Sequence, residues 1–182
     1  MNLKKLCLGL TAGLMLGAAA LGFTATAQAQ TAPVTIGEKA PDYTFTDIDG
    51  KAHKLSDFRG KITVLEWTNP GCPFVKKYYS KGDMQRLQAN TTKAGDVVWV
   101  AINSSGEGKE GYLASDADFK TLNTENKSAA SLYTRDPKGT FGKLFGAKTT
   151  PHMFVIDKEG RLIYQGAIDS ISSASTLRGA MW

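Results

Sequence analysis

The chain has 182 residues, which is enough for one domain and a short extra segment but not for two domains of ordinary size. Its composition, 42% hydrophobic and 21% charged, is that of a globular protein whose core needs no disulfides. The formal net charge of +5 is small and scattered along the chain, which argues against a nucleic-acid-binding protein.

The first 29 residues have the layout of a secretory leader. A short basic stretch, residues 1–5, precedes an uncharged apolar run, residues 6–23, and a small-residue pattern, Ala-Gln-Ala at 27–29, follows. The alternative is an uncleaved membrane anchor, because the apolar run is about the minimum length that spans a bilayer. The pattern favours a cleaved signal peptide over residues 1–29. We therefore expect export, into a bacterial periplasm, with membrane contact only through an uncleaved leader.

The rest of the chain is expected to form one folded domain. We assign residues 30–40 to a linker, residues 41–168 to the domain and residues 169–182 to a poorly ordered tail. Strand and helix patterns alternate from Pro41, which predicts an α/β sandwich with helices on both faces of a sheet.

The domain begins with a predicted hairpin. Residues 43–46 alternate between polar and apolar side chains, Asp49-Gly50 is a strong turn signal, and residues 51–55 return. His53 lies within this hairpin, and we expect its side chain at the surface.

A buried strand and a helix come next. Residues 62–67 are mostly apolar and β-branched, as is typical of a central strand, and Asn69-Pro70-Gly71 ends them. Pro73 suits the first turn of a helix, because its missing N–H group is unpaired there anyway. The residues expected on the core face of that helix are Phe74, Tyr78 and Leu87.

The remaining elements are assigned from the same patterns. They are a strand at 97–102, a helix at 116–127 with Phe119 and Leu122 inward, a short strand at 129–134, a short helix at 140–145, and a hairpin of residues 152–156 and 162–164. The glycine-rich residues 106–111 lack the ending of a phosphate-binding loop and are expected to form a flexible surface loop.

Cys72 is the candidate reactive group. Once a leader containing Cys7 is removed, Cys72 is the one cysteine left, although exported proteins usually hold cysteines in structural pairs. It lies where a strand ends and a helix begins, and the helix dipole there favours a thiolate. Lys76 and Lys77, one turn later, add to that field. A thiolate can attack a peroxide oxygen or a disulfide sulfur, whereas the alternative is a small buried hydrophobic residue.

Three segments resemble parts of the thioredoxin-like fold. Residues 64–77, VLEWTNPGCPFVKK, look like the active-site segment of thioredoxin-like proteins, and more narrowly of the redoxin group that contains alkyl hydroperoxide reductase and thiol-specific antioxidant. Residues 148–160, KTTPHMFVIDKEG, resemble the cis-proline strand and the hairpin after it, and residues 41–60 match an extra N-terminal β-hairpin. The resemblance covers roughly residues 34–168. It implies a thioredoxin-like α/β fold with a central mixed β-sheet flanked by helices.

The same resemblance implies roles for individual residues. Cys72 matches the attacking thiol, and Pro151 matches the cis-proline that packs beside it. Glu66 falls at the position of a buried acid that handles protons, and an apolar strand should raise its pKa; the alternative is a purely structural, hydrogen-bonded acid. The residues expected to contact a substrate or partner are Thr150, Pro73, Trp67 and His152.

The chain also departs from the family pattern. Val75 stands where Cys-x-x-Cys oxidoreductases have their second cysteine, so the ordinary intramolecular disulfide is excluded. Asn69 and Leu65 stand where peroxiredoxins usually carry a Thr or Ser and a Pro. Longer relatives continue into a further helix, so we expect the C-terminal helix to be missing.

The sequence therefore predicts a thiol-dependent oxidoreductase, either an antioxidant peroxidase or a thiol–disulfide exchange enzyme, with no resident cofactor and no metal site. The expected partners are a peroxide or disulfide substrate and an external thiol reductant, protein or small molecule, and a disulfide-linked dimer is a further expectation. One alternative is a copper-binding or chaperone module that uses Cys72 with His152 and Met153. Another is a non-catalytic thioredoxin-fold protein that binds partners along its cis-proline edge.

Overall fold

The computed structural model describes residues 32–174. The predicted signal peptide, residues 1–29, and residues 175–182 of the predicted tail lie outside the described residues. Within the described range, no helix is both long and apolar enough to cross a membrane.

A small antiparallel hairpin precedes the main sheet. Strand β1 (Thr44–Thr46) pairs with β2 (Ala52–Lys54), and a 3₁₀ helix, Leu55–Phe58, follows directly. The separate N-terminal hairpin predicted from the sequence is therefore confirmed.

His53 is buried in this hairpin, so the prediction of a surface position was wrong. It lies directly opposite Phe45 in the strand register, and its ring stacks on that side chain with centroids 5.5 Å apart. Its Nε2 atom is 2.7 Å from the Asp47 carboxylate, which is also buried. Strand alternation places residue 53 on the inward face, and Asp47 supplies the partner that a buried imidazole needs.

A five-stranded mixed sheet forms the centre of the domain. Its strands are β3 (Ile62–Trp67), β4 (Val97–Asn103), β5 (Leu132–Arg135), β6 (His152–Ile156) and β7 (Leu162–Gly166), in the spatial order β5-β4-β3-β6-β7. β4 runs parallel to β3 and β5, whereas β6 runs antiparallel to β3 and β7. The apolar run of β3 thus occupies the middle of the sheet, where both faces are covered. The predicted mixed sheet flanked by helices is confirmed.

Within residues 32–174, four α-helices flank this sheet: α1 (Pro73–Tyr79), α2 (Asp83–Thr92), α3 (Asp116–Glu125) and α4 (Thr140–Phe145). The first two replace the single long helix expected after Pro73. Gly82 adopts a left-handed conformation with φ of +74°, which ends α1 and lets a second helix begin. As a result Phe74 and Leu87 are 38% and 39% exposed, so their predicted core positions were wrong, while Tyr78 is buried as expected.

The core has two halves, one on each face of the sheet. On one face Leu65, Trp67 and Phe154 pack with Phe141 and Phe145 of α4. On the other face the core side chains are Val64, Trp99 and Met153, which pack with Tyr78 of α1 and Met84 of α2. Successive residues of a strand point to opposite faces, so Glu66 shares the face of Val64 and lies beneath α1 and α2.

The chain before β1 also contacts this domain. Val34 is buried, and its amide donates to the carbonyl of Leu144 at 3.0 Å. Further along, the amide of Gly37 donates to Leu162 at 2.8 Å, beside β7. Residues 34–40 of the segment assigned to a linker therefore lie against the sheet.

Candidate active site

Cys72 lies between β3 and α1, at the position that caps the helix. Pro73 is the first helical residue, and its fixed φ suits that place. The thiol is half-buried, and its Sγ atom donates a hydrogen bond to the carbonyl oxygen of Thr150 at 3.0 Å. The structure thus brings together Cys72 and Thr150, which are 78 residues apart in the chain.

The Thr150–Pro151 peptide bond is cis, as the resemblance implied, and Pro151 is buried. Pro73 is exposed beside Cys72, and Thr150 is half-buried. Two of the residues expected to contact a partner, Thr150 and Pro73, therefore lie beside the thiol.

Asn69 shapes the turn that precedes Cys72. Its Oδ1 atom accepts from the amide of Gly71 at 2.7 Å, and its carbonyl accepts from the amide of Cys72 at 3.0 Å. Its Nδ2 atom donates to the carbonyl of Glu110 at 2.9 Å. Asn69 stands where peroxiredoxins carry Thr or Ser, and its side chain is hydrogen-bonded to backbone groups of the protein itself. An Asn two residues before a Gly is a known turn signal, which sequence reasoning passed over.

The glycine-rich loop, residues 106–111, contacts the Cys72 turn at its second half. Gly111 has φ of +72°, and a Cβ atom there would overlap the Asn69 side chain. The Glu110 side chain lies in the space that a Cβ atom of Gly71 would fill. Asn103 fastens the loop by donating from Nδ2 to the Gly111 carbonyl at 3.1 Å. The predicted surface loop therefore contacts the Cys72 turn through Glu110 and Gly111.

Glu66 is completely buried and accepts three hydrogen bonds. The donors are the Trp99 indole N–H at 2.8 Å, the Tyr79 hydroxyl at 2.9 Å and the Gln88 amide at 3.0 Å. Burial raises the pKa of the Glu66 carboxyl above its ordinary value of 4.5, and the three donors oppose that rise without cancelling it. The predicted direction of the pKa shift is confirmed.

Gln88 fixes the orientation of this network. Its Oε1 atom accepts from the backbone amide of Ala129 at 2.9 Å, so its Nε2 atom must face Glu66 and the Tyr79 oxygen, each at 3.0 Å. Burial, with a further contribution from Glu66, raises the pKa of Tyr79 well above 10.0, so this phenol stays protonated. Of the three donors to Glu66, the Tyr79 hydroxyl alone can also accept a proton from it.

A cavity of about 200 Å³ lies on the other side of Tyr79. Thr68 and Pro70 of the Cys72 turn line one end, and Asn123 of α3 lines another. The Nδ2 atom of Asn123 is buried, with no hydrogen-bond partner among the described residues. Tyr79 and two residues of the turn thus line the same cavity.

The other two residues expected to contact a substrate or partner are Trp67 and His152. Trp67 is 2% exposed, packs edge-on against Phe154 at 5.0 Å and donates from Nε1 to Ser104, so its side chain belongs to the core. His152 is half-buried, and its Nδ1 atom accepts from the Lys148 amide at 3.3 Å. Burial lowers the pKa of His152 below 6.5, and the Lys148 charge lowers it further, so the ring is neutral at pH 7.

His152 and Met153, two residues of the copper alternative, lie on opposite faces of the sheet. Met153 packs in the core beside Val64, whereas its strand neighbour His152 points to the opposite face. Within residues 32–174, no group of three or more His, Cys, Asp or Glu side chains is arranged to hold a metal ion.

The sequence matches the family model named Redoxin over residues 35–180. The chain belongs to the Redoxin family. Among curated relatives, Peroxiredoxin Bcp of Bacillus subtilis (strain 168) is 29% identical over 143 residues, which cover 71% of this chain and 83% of the relative. Thiol-disulfide oxidoreductase ResA of Geobacillus thermodenitrificans (strain NG80-2) is 30% identical over 92 residues, 46% of this chain and 53% of the relative.

Solved structures agree with this assignment. An uncharacterized conserved protein from Geobacillus kaustophilus is 28% identical, with a TM-score of 0.64 over 75% of this chain and 71% of its own. The pneumococcal exposed lipoprotein thioredoxin Etrx1 from Streptococcus pneumoniae is 27% identical, with a TM-score of 0.55 over 71% and 92%. The resemblance to thioredoxin-like redoxins is thus confirmed, and so is the expected enzyme class, a thiol-dependent oxidoreductase.

Proposed function

We propose that this redoxin reduces a peroxide or disulfide substrate in the cell envelope through one thiol, that of Cys72. The observation that carries the proposal is the contact between the Cys72 Sγ atom and the carbonyl of Thr150, directly before cis-Pro151. Val75, at the place of a second cysteine, is buried in the core and cannot form a disulfide. The cycle therefore needs a thiol from outside the chain.

The peroxide reaction balances with one cysteine. The Cys72 thiolate attacks one peroxide oxygen, an S–O bond forms as the O–O bond breaks, and the departing oxygen takes a proton to leave as water or an alcohol. Cys72 is oxidised by two electrons to a sulfenic acid. An external thiol attacks its sulfur and releases water, and a second thiol then breaks the mixed disulfide and restores Cys72. With a disulfide substrate, the Cys72 thiolate attacks one sulfur, the substrate's S–S bond breaks and its other half leaves as a thiol, so the cycle is entered at the mixed disulfide.

The backbone beside the thiol offers a place for a partner chain. In the free protein the Thr150 carbonyl accepts from the Cys72 thiol, and Pro73 is exposed next to it. Once Cys72 has given up its proton, that carbonyl is free to accept from the backbone amide of a partner strand. We assign partner contact to Thr150 and Pro73, and packing against the thiol to Pro151.

Glu66 is assigned to proton transfer rather than to direct contact with the substrate. Its hydrogen bonds within the described region go to Tyr79, Gln88 and Trp99. Tyr79 also lines the 200 Å³ cavity that Thr68 and Pro70 of the turn border. A proton held by Glu66 can therefore leave through the Tyr79 hydroxyl and water in that cavity.

Export is part of the proposal. The leader pattern of residues 1–29 supports it, with its basic start, apolar run and small-residue end. The similarity to a pneumococcal protein described as an exposed lipoprotein thioredoxin adds support, since it has the same fold at 27% identity.

The test follows the Cys72 thiol by intact-mass spectrometry. The reduced protein is mixed with hydrogen peroxide or with a small disulfide, and free cysteine at the same pH gives the reference rate. Cys72→Ser should abolish the reaction, while Cys7→Ser is the matched control that should leave it unchanged. Faster loss of the thiol than the reference, with a sulfenic acid or mixed-disulfide product, supports the proposal. Rates no faster than free cysteine with both oxidants contradict it.

A further inference from the structure

Lys77 is a buried lysine on the helix that begins at Cys72. Its side chain is 2% exposed, although its neighbour Lys76 on α1 is exposed. An ammonium group removed from water is costly unless charged or polar partners surround it. The Lys77 Nζ atom lies 3.4 Å from the Asp169 carboxylate and donates to the carbonyl of Ser173 at 3.1 Å. Lys77 therefore attaches the segment after β7 to α1.

Asp169 receives several donors besides Lys77. The Ile171 amide donates to its Oδ1 atom at 2.9 Å, and an interaction with the Tyr78 hydroxyl lowers the pKa of the carboxyl. Burial alone would raise the pKa of Asp169, but the bonds from Tyr78 and Ile171 and the Lys77 charge hold it below its ordinary value of 3.8. The carboxylate therefore stays ionised at neutral pH, and the ion pair with Lys77 persists.

The segment held by this pair forms one wall of a second cavity, of about 230 Å³. Phe74 and Tyr78 of α1 line it on one side, and Ile168 and Ile171 line it on the other. The other lining residues are Thr149, Thr150, Pro151, Ala167 and Asp169. The Thr150 carbonyl accepts from the Cys72 thiol at 3.0 Å, so Thr150 is a neighbour of both this cavity and the thiol.

We propose that Lys77 is a positioning residue that sets the size of the group able to reach Cys72. Through Asp169 it holds residues 167–171 beside α1, and the space between them, next to Thr150, is mostly apolar. A small aliphatic group next to the bond under attack fits this space, whereas a bulky aromatic group must displace the wall. The inference rests on the proposed function only in taking Cys72 as the reacting thiol.

The experiment compares two neutral reagents that form a disulfide with Cys72. With methyl methanethiosulfonate, the thiolate attacks the sulfenyl sulfur and methanesulfinate leaves. With 4,4′-dithiodipyridine, it attacks the disulfide and thiopyridone leaves. The measured quantity is the ratio of the second-order rate constants, bulky over small, in the Cys7→Ser background. Since the same thiol reacts in both cases, general changes in its reactivity cancel in the ratio.

Lys77→Met keeps the aliphatic stem and removes the charge, and the double variant Lys77→Met/Asp169→Asn avoids an unpaired carboxylate. Both should raise the bulky-to-small ratio by roughly tenfold, which corresponds to about 1.4 kcal/mol between the held and released wall. Lys76→Met is the matched control: it removes an exposed charge nearer to Cys72 and should leave the ratio unchanged. Equal ratios in the folded Lys77 variants and the unaltered protein would overturn the inference.

Ile171→Ala tests the wall without altering any charge. It enlarges the cavity and should also raise the ratio, so the inference stays open to refutation if the Lys77 variants fail to fold. An unchanged ratio in Ile171→Ala would show that residues 167–171 do not limit access. Failure of the proposed function would appear separately, as a slow reaction of the unaltered protein with peroxide and small disulfides. The ratio of rate constants can still be measured in that case, because it requires only that the Cys72 thiol is accessible.

Discussion

Replacing Glu66 with Gln tests the central electrostatic claim about the buried acid. The folded protein raises the pKa of Glu66 above the ordinary 4.5, mainly through burial. Between pH 4.5 and the raised value, the folded state therefore holds a proton that the unfolded state has lost. Stability must then fall as the pH rises through this window, and the contribution is fully present below pH 4.5. Glu66→Gln removes the titrating group and hence this dependence.

The size of this change in unfolding free energy is set by the titration of one proton. The difference in unfolding free energy between the unaltered protein and Glu66→Gln should change by at most about 1.4 kcal/mol per pH unit within the window. Gln suits the site, because its Oε1 atom can accept from Trp99 and Gln88 while its Nε2 atom donates to the Tyr79 oxygen. The variant should therefore gain stability relative to the unaltered protein as the pH rises.

Glu66→Leu separates the hydrogen bonds from the charge. It leaves the Trp99 indole and one N–H of the Gln88 amide without the acceptor that Gln still supplies, and each buried unpaired donor costs roughly 1–3 kcal/mol. We expect Glu66→Leu to be about 3 kcal/mol less stable than Glu66→Gln at every pH, since neither variant titrates at this position.

The assay is urea unfolding at constant ionic strength across a pH series that begins at 4.5 and ends at about pH 8. The pH-dependent difference should appear between the unaltered protein and Glu66→Gln and be absent between the two variants. A difference that stays flat over the whole series would refute the reasoning, because the carboxyl would then titrate alike in the folded and unfolded states.

Two further predictions concern the surroundings of the thiol. Gly111→Ala should be about 2 kcal/mol more destabilising than Gly108→Ala in urea unfolding. Both glycines have φ of +72°, but only at residue 111 does the new methyl group displace Asn69, which breaks two hydrogen bonds of about 1 kcal/mol each. Equal effects would show that the Asn69 hydrogen bonds add nothing to stability. The His152 ring should titrate below pH 6.5 in an NMR titration. Its contribution to the free energy of unfolding is present above pH 6.5 and should be lost as the pH falls through its lowered pKa. Titration at or above pH 6.5 would contradict the assigned burial.

The sequence predicted those parts of the site that contiguous residues determine. Cys72 between a strand and Pro73 is a local pattern, because a turn, a capping position and the first helical turn follow one another. Pro151 and Glu66 were recognised in the same way, by their places in short segments that resemble a known family. These assignments depend on neighbours in the chain, so one sequence was sufficient for them.

The network around Glu66 could not be predicted in this way. Tyr79, Gln88 and Trp99 lie 13, 22 and 33 residues further along the chain, on three different elements. A polar residue such as Gln88 is usually exposed on a helix, and nothing near it in sequence indicates a buried partner. Its position depends on the break at Gly82, which sets the start of α2.

The same limit applied to His53 and to the lysine pair. His53 is polar, and this property was given more weight than the strand alternation that placed it opposite the buried Phe45. Lys76 and Lys77 are equivalent in sequence, but they differ by about 100° around a helix. Which of them is buried depends on how α1 rests on the sheet, and that is a tertiary property.

Helix α1 lies between the two cavities that we relate to Cys72. Helical spacing places Phe74 and Tyr78 on the side of the 230 Å³ cavity, and Val75 and Tyr79 on the side of the 200 Å³ cavity. The first side meets the wall that Lys77 holds, and the second leads to Glu66. Substitution of Lys77 should therefore alter size selection while leaving the pH-dependent stability attributed to Glu66 intact, and Glu66→Gln should have the opposite pair of effects. If either change altered both properties, the helix would not separate the two cavities, and the division of roles drawn from it would be wrong.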